Sequence, residues 1–313
     1  MTTSYTFTDV RLTLAYLAEQ PIIHTEETIG NISKIKKMRI VHNGGVVLIP
    51  AVSGNSFRGQ LRDVLADRMF AVLSNNGQQQ ITLSNDIYGA LYSGGALGER
   101  STLDKIMKQL TDAIPMLRVM GAAFGNVMWP SKFAATHIIP CAQETEDILQ
   151  SVVKHLNAAI LPAKDQWPKG RDLIFNDGPL TRKDDSRDPY RQRFVNLKSE
   201  DEQKQQMIYY VECITPGTWL LQQIYSKYPL DDLELGCFFD ALESWLKTPS
   251  IGGRSAAGYG QVQLHIRGKA ADEQVEWPDS WPDVVNKAIE TYRTYLTEKK
   301  TDLLEAMQAT VEE

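Results

Sequence analysis

The stretch from Leu48 to Arg62, LIPAVSGNSFRGQLR, constrains the fold most tightly. An apolar strand end runs into a proline and a small polar turn, then into a basic segment that continues amphipathically to Leu73. A strand here hands over to a helix. Ser53 suits an N-cap, and Gly54 and Asn55 let the backbone approach whatever lies outside. The first helical amides have no intrahelical partners, a setting that favours an anion. Arg58 and Arg62 lie four apart and project from one side of the first two turns, so with Ser53, Asn55 and Ser56 they form a candidate phosphate site. Phe57, Leu61, Val64, Leu65 and Met69 recur at helical spacing and give the helix a separate apolar face.

Charge is segregated along the chain. The net charge is −6, yet Thr28 to Arg62 contains no Asp or Glu while holding Lys34, Lys36, Lys37 and Arg39 as well as the two arginines. Ala113 to Gln143 and Ser244 to Ala271 are also free of acids, which crowd instead into Asp184 to Glu202 and the tail from Asp272 onward. An acidic exterior with basic strips is the footprint expected of a subunit lying along a nucleic acid. No apolar run is long enough to span a bilayer and the first residues lack a leader pattern, so a cytoplasmic protein with no membrane partner is expected. Cys141, Cys213 and Cys237 are widely separated and never in a CxxC pair; they read as buried thiols, with no metal site.

Elsewhere the pattern alternates between strand and helix. Thr6 to Leu17 reads as a first strand, and Gln20 to Pro50 as a hairpin or extended arm with a turn at Asn43-Gly44-Gly45, its return leg rejoining the sheet. Ser101 to Leu110 reads as helix, Met116 to Pro140 as a glycine-rich loop opening onto a strand, and Pro162 to Lys183 as loop. Tyr190 to Leu197 is a short basic strip. Met207 to Ile224 reads as two core strands joined by a tight turn at Thr215-Pro216-Gly217, followed by a helix from Leu230 to Leu246. A Gly-rich loop from Ile251 then enters a final strand, and an acidic helix closes the chain. The loop has neither the GxGxxG nor the GxxxxGK[ST] pattern, so no nucleotide cofactor is expected. Gly252, Gly253, Arg254 and Ser255 can still approach phosphates closely. A single α+β domain with insertions fits this order.

Three separated motifs resemble the CRISPR-associated RAMP proteins that form the repeated backbone of RNA-guided effectors. IPAVSGNSFRGQLR resembles the family's strand-to-helix signature. Phe124-Gly125 ahead of KFAATHIIP resembles its mid-chain segment, and YVECITPGTWL with IGGRSAAGYGQVQL resembles the terminal turn and Gly-rich loop. The SGN spelling and the FGNVMWP loop look most similar to the type IV backbone subunit. The resemblance implies an RRM-like, ferredoxin-like palm over one domain of residues 1–313. It implies a thumb hairpin at 22–50, a helical finger-like insertion at 75–115, an insertion of helix and loops at 144–205 and an acidic helical extension at 272–313. It further implies a protein that binds crRNA, polymerises in copies of itself along it, joins other effector subunits and presents the guide to complementary DNA or RNA.

In type III relatives the thumb carries a Gly-Gly-Ile-Asp loop whose aspartate takes part in metal-dependent RNA cleavage. The matching residues here are Gly30-Asn31-Ile32-Ser33, and a serine supplies neither the charge for a divalent ion nor a general base. A non-catalytic subunit is therefore expected. The alternatives are a type III-like endonuclease using Glu26 or Glu27, and a guide-processing endonuclease, which needs a placed histidine; His24, His42, His137, His155 and His265 are scattered in sequence. A metabolic enzyme binding a phosphorylated ligand at Ser53 to Arg58 is the third reading.

Overall fold

In the first strand, β1 (Val10–Ala18), Leu12, Leu14 and Tyr16 alternate onto one face and are fully buried. The structure, a computed structural model, describes residues 8–95, 104–124, 127–156, 160–181 and 208–308. After β1 the chain forms two successive hairpins, β2 (Thr25–Ile29) with β3 (Ile32–Ile35), then β4 (Lys37–His42) with β5 (Gly45–Pro50). The second turns on Asn43 and Gly44, both at positive φ (50° and 76°), the backbone that a two-residue hairpin turn with matched twist requires. Four helices follow: α1 (Gly54–Leu73), α2 (Asn85–Tyr92), α3 (Asp104–Ala113) and α4 (Pro115–Met120). Then come the short strands β6 (Ala122–Phe124), β7 (Val127–Trp129), β8 (Phe133–Ala135) and β9 (Ile139–Pro140), and the helix α5 (Glu146–Val153). The remainder is β10 (Ile174–Thr181), β11 (Ile208–Ile214), β12 (Trp219–Ser226), α6 (Asp232–Trp245), β13 (Val262–Ala270), β14 (Glu273–Trp277), α7 (Asp283–Glu298) and α8 (Lys300–Gln308).

The main sheet is antiparallel, ordered β14-β13-β1-β12-β8, with β9 also on β12. Four of its strands arise in the chain as β1, β8, β12 and β13, so their spatial order is fourth, first, third, second. Helix α1 lies in the connection from first to second, and α6 joins third to fourth. Both helices cover one face of the sheet. Phe57, Leu61, Leu65 and Met69 of α1 enter the same core as Phe238, Phe239 and Leu242 of α6, with Phe57 edge-on to Trp245 at 5.3 Å. Removing a side chain such as Phe57 from this core costs about 3–5 kcal/mol. Asp240 of α6, 3% exposed, ties the layer together by accepting from Arg68 of α1 and Arg293 of α7. Charged groups so deeply placed are tolerated when paired on several sides. One end of the opposite face is covered where Leu149 of α5, Leu156, Trp167 and Cys141 pack on Ala15 and Leu221.

A second sheet, β10-β11-β3-β2, includes a parallel β11–β3 pair. Several expectations are corrected by it. Strands β11 and β12 flank the Thr215-Pro216-Gly217 turn as expected, but they belong to different sheets. The return leg of the arm pairs only within its own hairpin and does not rejoin the main sheet. Pro162 to Lys183, read as loop because of its prolines and glycines, contains β10, whose ladder slips where Gly178 and Pro179 interrupt it. The glycine-rich stretch after Met116 forms α4 and the β6–β7 hairpin. Strand β13 is followed by β14, and the acidic tail is two helices rather than one. The basic strip 190–197, residues 157–159 and 182–205 of the 144–205 insertion, and Gly125 of the mid-chain motif lie outside the described residues. All three cysteines are buried and unbridged, as expected.

Candidate nucleic-acid interface

Strand β5 delivers the chain to α1 through Val52, which bridges Ile138 in both directions. Ser53 is extended (φ −70°, ψ 142°) and its hydroxyl accepts from the Ser56 amide at 3.2 Å, the N-cap the sequence specifies. The surroundings of the cap differ from expectation. A β-carbon on Gly54 would collide with the carbonyls of Ala135 and Thr136, so this glycine admits the chain's own backbone rather than an outside group. The Ser53 amide donates to Nε2 of His24 at 3.1 Å and the Gly54 amide to Nδ1 of His137 at 3.2 Å. Two histidines far apart in sequence thus cap one helix, each accepting through an unprotonated ring nitrogen. Burial, with Lys36 and His137 nearby, lowers the His24 pKa, while Glu26 acts weakly the other way. The opening amides are therefore largely spent inside the protein, and Asn55 is the exposed member of the cap.

The two arginines part company. Arg62 is 8% exposed and donates to the carbonyls of Ala90 (3.0 Å), Met120 (3.0 Å) and Gly121 (2.9 Å). Burial, and then the neighbouring Arg58, pull its pKa down to about 10. The expectation that it grips a phosphate is corrected, for its donors are committed to joining α1 to α2 and the end of α4. Arg58 is half-buried, shares the Met120 carbonyl at 2.9 Å, and has a buried Nε with no partner.

The Gly-rich loop lies beside this helix. The Gln60 amide donates to the Gly252 carbonyl at 3.1 Å, and the Gly253 amide donates to the Ile23 carbonyl at 2.7 Å. Gly252 has φ +83°, and a β-carbon there would strike the Ile23 carbonyl. Arg254 follows in a left-handed conformation (φ 59°), exposed, with its guanidinium 5.1 Å from the Tyr209 ring centroid. Such a cation on an aromatic face is fixed without being neutralised. Ser255 is also exposed.

The arm is less cationic in space than in sequence. Lys34 donates to Glu212 at 2.8 Å and Lys37 lies 3.6 Å from the same carboxylate, while Lys36 lies 3.7 Å from Glu26. Burial alone would raise the Glu212 pKa, but the Lys34 bond, the Ile35 amide and Lys37 outweigh it and hold the carboxyl below its ordinary range. Arg39 is exposed, with no carboxylate paired to it among the described residues. Ser33, 9% exposed, faces Thr28 with 3.4 Å between hydroxyls. The acid-free stretch around α4 is likewise compensated, since Arg118 and Lys132 both reach the fully buried Glu234 at 2.7 Å. Among the described residues no group of three or more His, Cys, Asp or Glu could hold a metal ion, and no helix is long and apolar enough to cross a membrane.

One edge of the molecule thus gathers the α1 cap, the Gly252–Ser255 loop and the root of the arm. No protein-family model and no curated protein matches the sequence. Among solved structures, a chain titled "Type IV-B CRISPR Complex" superposes with a TM-score of 0.55 at 20% identity, covering 88% of this chain and 98% of that one. The fold is similar to that of a type IV-B CRISPR complex chain. The likeness extends over most of this chain, in keeping with its α+β architecture.

Proposed function

We propose that this protein is a non-catalytic backbone subunit of a type IV CRISPR effector, binding crRNA and polymerising along it. The main sheet, with its fourth-first-third-second strand order and two helices on one face, is then the RRM-like palm, and the hairpins after β1 are the thumb. The observation that carries the reading is the convergence of three sequence-distant segments on one edge. Ser53 is tied to His24, Gln60 to Gly252, and Gly253 to Ile23. Asn55, Arg58, Arg39, Arg254 and Ser255 supply the polar and cationic contacts there, with Lys36 weakly paired at an exposed site. Backbone contacts of this kind neutralise phosphates and leave sequence recognition to base pairing with a DNA or RNA target. Other effector subunits and further copies of this chain are the partners.

Catalysis is not part of the proposal, because Ser33 offers no carboxylate at the thumb position. The test is purification of the protein together with its neighbouring gene products and a guide array. RNA of uniform length copurifying in a fixed protein-to-RNA ratio is expected, and purification free of RNA overturns the reading. Magnesium- or manganese-dependent cutting of complementary RNA at regular spacing, lost on replacing Glu26 or Glu27, would favour the endonuclease instead.

A further inference from the structure

The outward face of the main sheet is divided. Its apolar half, around Ala15 and Leu221, is sealed by Leu149, Leu156 and Trp167. The other half is polar, with Thr13 buried at its centre (2% exposed) and longer side chains around it reaching solvent. There the register sets Tyr225, Arg11 and Lys269 side by side across β12, β1 and β13, and in the next row on the same face Gln223, Thr13 and Arg267. Arg11 and Lys269 are exposed, and Tyr225, Gln223 and Arg267 half-exposed.

Two like charges directly opposite on antiparallel strands repel and destabilise the pair. Two acids share this face, Asp9 by alternation along the first strand and Glu276 opposite Arg267, and neither stands opposite Arg11 or Lys269. None of the three cations forms an ion pair among the described residues. Some cations elsewhere in this chain are paired with carboxylates that the fold brings from far away, as Lys34 is with Glu212 and Lys132 with Glu234. Here the register sets none opposite Arg11 or Lys269.

We infer that this half-face is a second nucleic-acid site, binding a single-stranded segment whose phosphates meet Arg11, Arg267 and Lys269 and one of whose bases stacks on Tyr225. An anion from outside removes the repulsion that the register builds in. An aromatic ring beside the cations, on a flat strand surface, is the platform that single strands use, with stacking and charge acting together. The face lies on the opposite side of the sheet from α1, so it is separate from the proposed guide path. It would serve a strand other than the guide, of RNA or DNA.

The experiment uses the full chain with its effector partners, and separately the full chain alone. It titrates fluorescent single-stranded oligouridine RNA and oligothymidine DNA at several salt concentrations. Arg11→Gln/Arg267→Gln/Lys269→Gln should flatten the log–log salt dependence by about 2, at about 0.7 per lost phosphate contact. Tyr225→Ala should weaken binding roughly tenfold or more without changing the slope, as loss of one stacked base does. The thermal midpoint of the triple variant should be no lower than wild type, because a like-charge pair has been removed. Preference between the RNA and DNA probes in the wild type identifies which strand the face takes.

Retention of copurified guide RNA, read on the same samples, separates this inference from the preceding proposal. Guide retained with oligonucleotide binding weakened supports a second site. Wild type without guide, but with binding that the triple variant weakens, supports this face and removes the guide-binding reading. Unchanged oligonucleotide affinity and slope in both variants overturns the inference. So does loss of the guide along with the probe, since the face would then be part of the guide path.

Discussion

Arg62→Met tests whether the second arginine of the RGxxR run is a packing group or a ligand group. Methionine keeps most of the aliphatic length and removes the three bonds to Ala90, Met120 and Gly121. Bonds from a charged donor are worth about 1.5–3 kcal/mol each, and the carbonyls left behind are buried. Against that loss stands the relief of desolvating a guanidinium, the same burial that draws its pKa to about 10. Three buried carbonyls losing this donor, at about 1–3 kcal/mol each less that relief, cost about 3–5 kcal/mol net.

Unfolding entropy of about 2.1 cal/mol/K per residue over 313 residues converts this to a fall in thermal midpoint of about 5–8 °C. Arg58→Met loses one carbonyl bond at a half-exposed site, about 1 kcal/mol, and should move the midpoint by only 1 or 2 °C at about the same conversion. Binding of single-stranded RNA should show the reverse order. Arg58→Met should lower the salt slope by about 0.7, while Arg62→Met, assayed well below its midpoint, should leave the slope alone. Differential scanning calorimetry and fluorescence titration give both quantities. An Arg62→Met protein that melts like wild type but has a flattened slope refutes the packing assignment and restores the phosphate contact.

Three further outcomes are expected. His24 is held neutral with its pKa below the ordinary 6.5, so its share of stability is intact above about pH 6.5 and is lost as pH falls through the lowered value; midpoints measured from pH 7.5 to 5 should drop, and His24→Gln should flatten the drop. Gly252→Ala should cost about 1–3 kcal/mol through its left-handed φ and expose the Gly253 amide, read as faster hydrogen exchange at that residue and slower exchange nowhere nearby. Glu212→Gln frees Lys34 and Lys37 while still able to accept from the Ile35 amide, so RNA binding should tighten and its salt slope steepen by about 1.4; an unchanged slope would mean that neither lysine faces the strand.

The elements that could be read in advance are those whose determinants are local. Ser53 followed by Phe57, Leu61, Leu65 and Met69 specifies a capped amphipathic helix from residues within two dozen positions, and the helix forms as Gly54–Leu73. Asn43-Gly44 specifies a hairpin turn by the same kind of short-range rule. Local rules failed in β10, where Gly178 and Pro179 signal a break, because pairing with β11 supplies the ladder from more than 25 residues away on either side of the interruption.

Charge failed for the same physical reason and with more consequence for the site. A stretch without acids looks basic only while its partners are out of view. Glu212 reaches Lys34 across 178 positions, and Glu234 reaches Lys132 across 102 and Arg118 across 116. The hidden pairing of His24 with His137 at one helix start is of this kind too, since neither residue carries a local signal. Strand register can reveal what counting cannot. Arg11, Lys269 and Arg267 sit in unremarkable sequence, yet adjacent strands bring them together, with Glu276 opposite Arg267 and no carboxylate opposite Arg11 or Lys269. A cation's availability is therefore set by the strands and helices that pack around it, and cations left without a carboxylate partner among the described residues, Arg39, Arg254 and this trio among them, are where an external polyanion has most to gain.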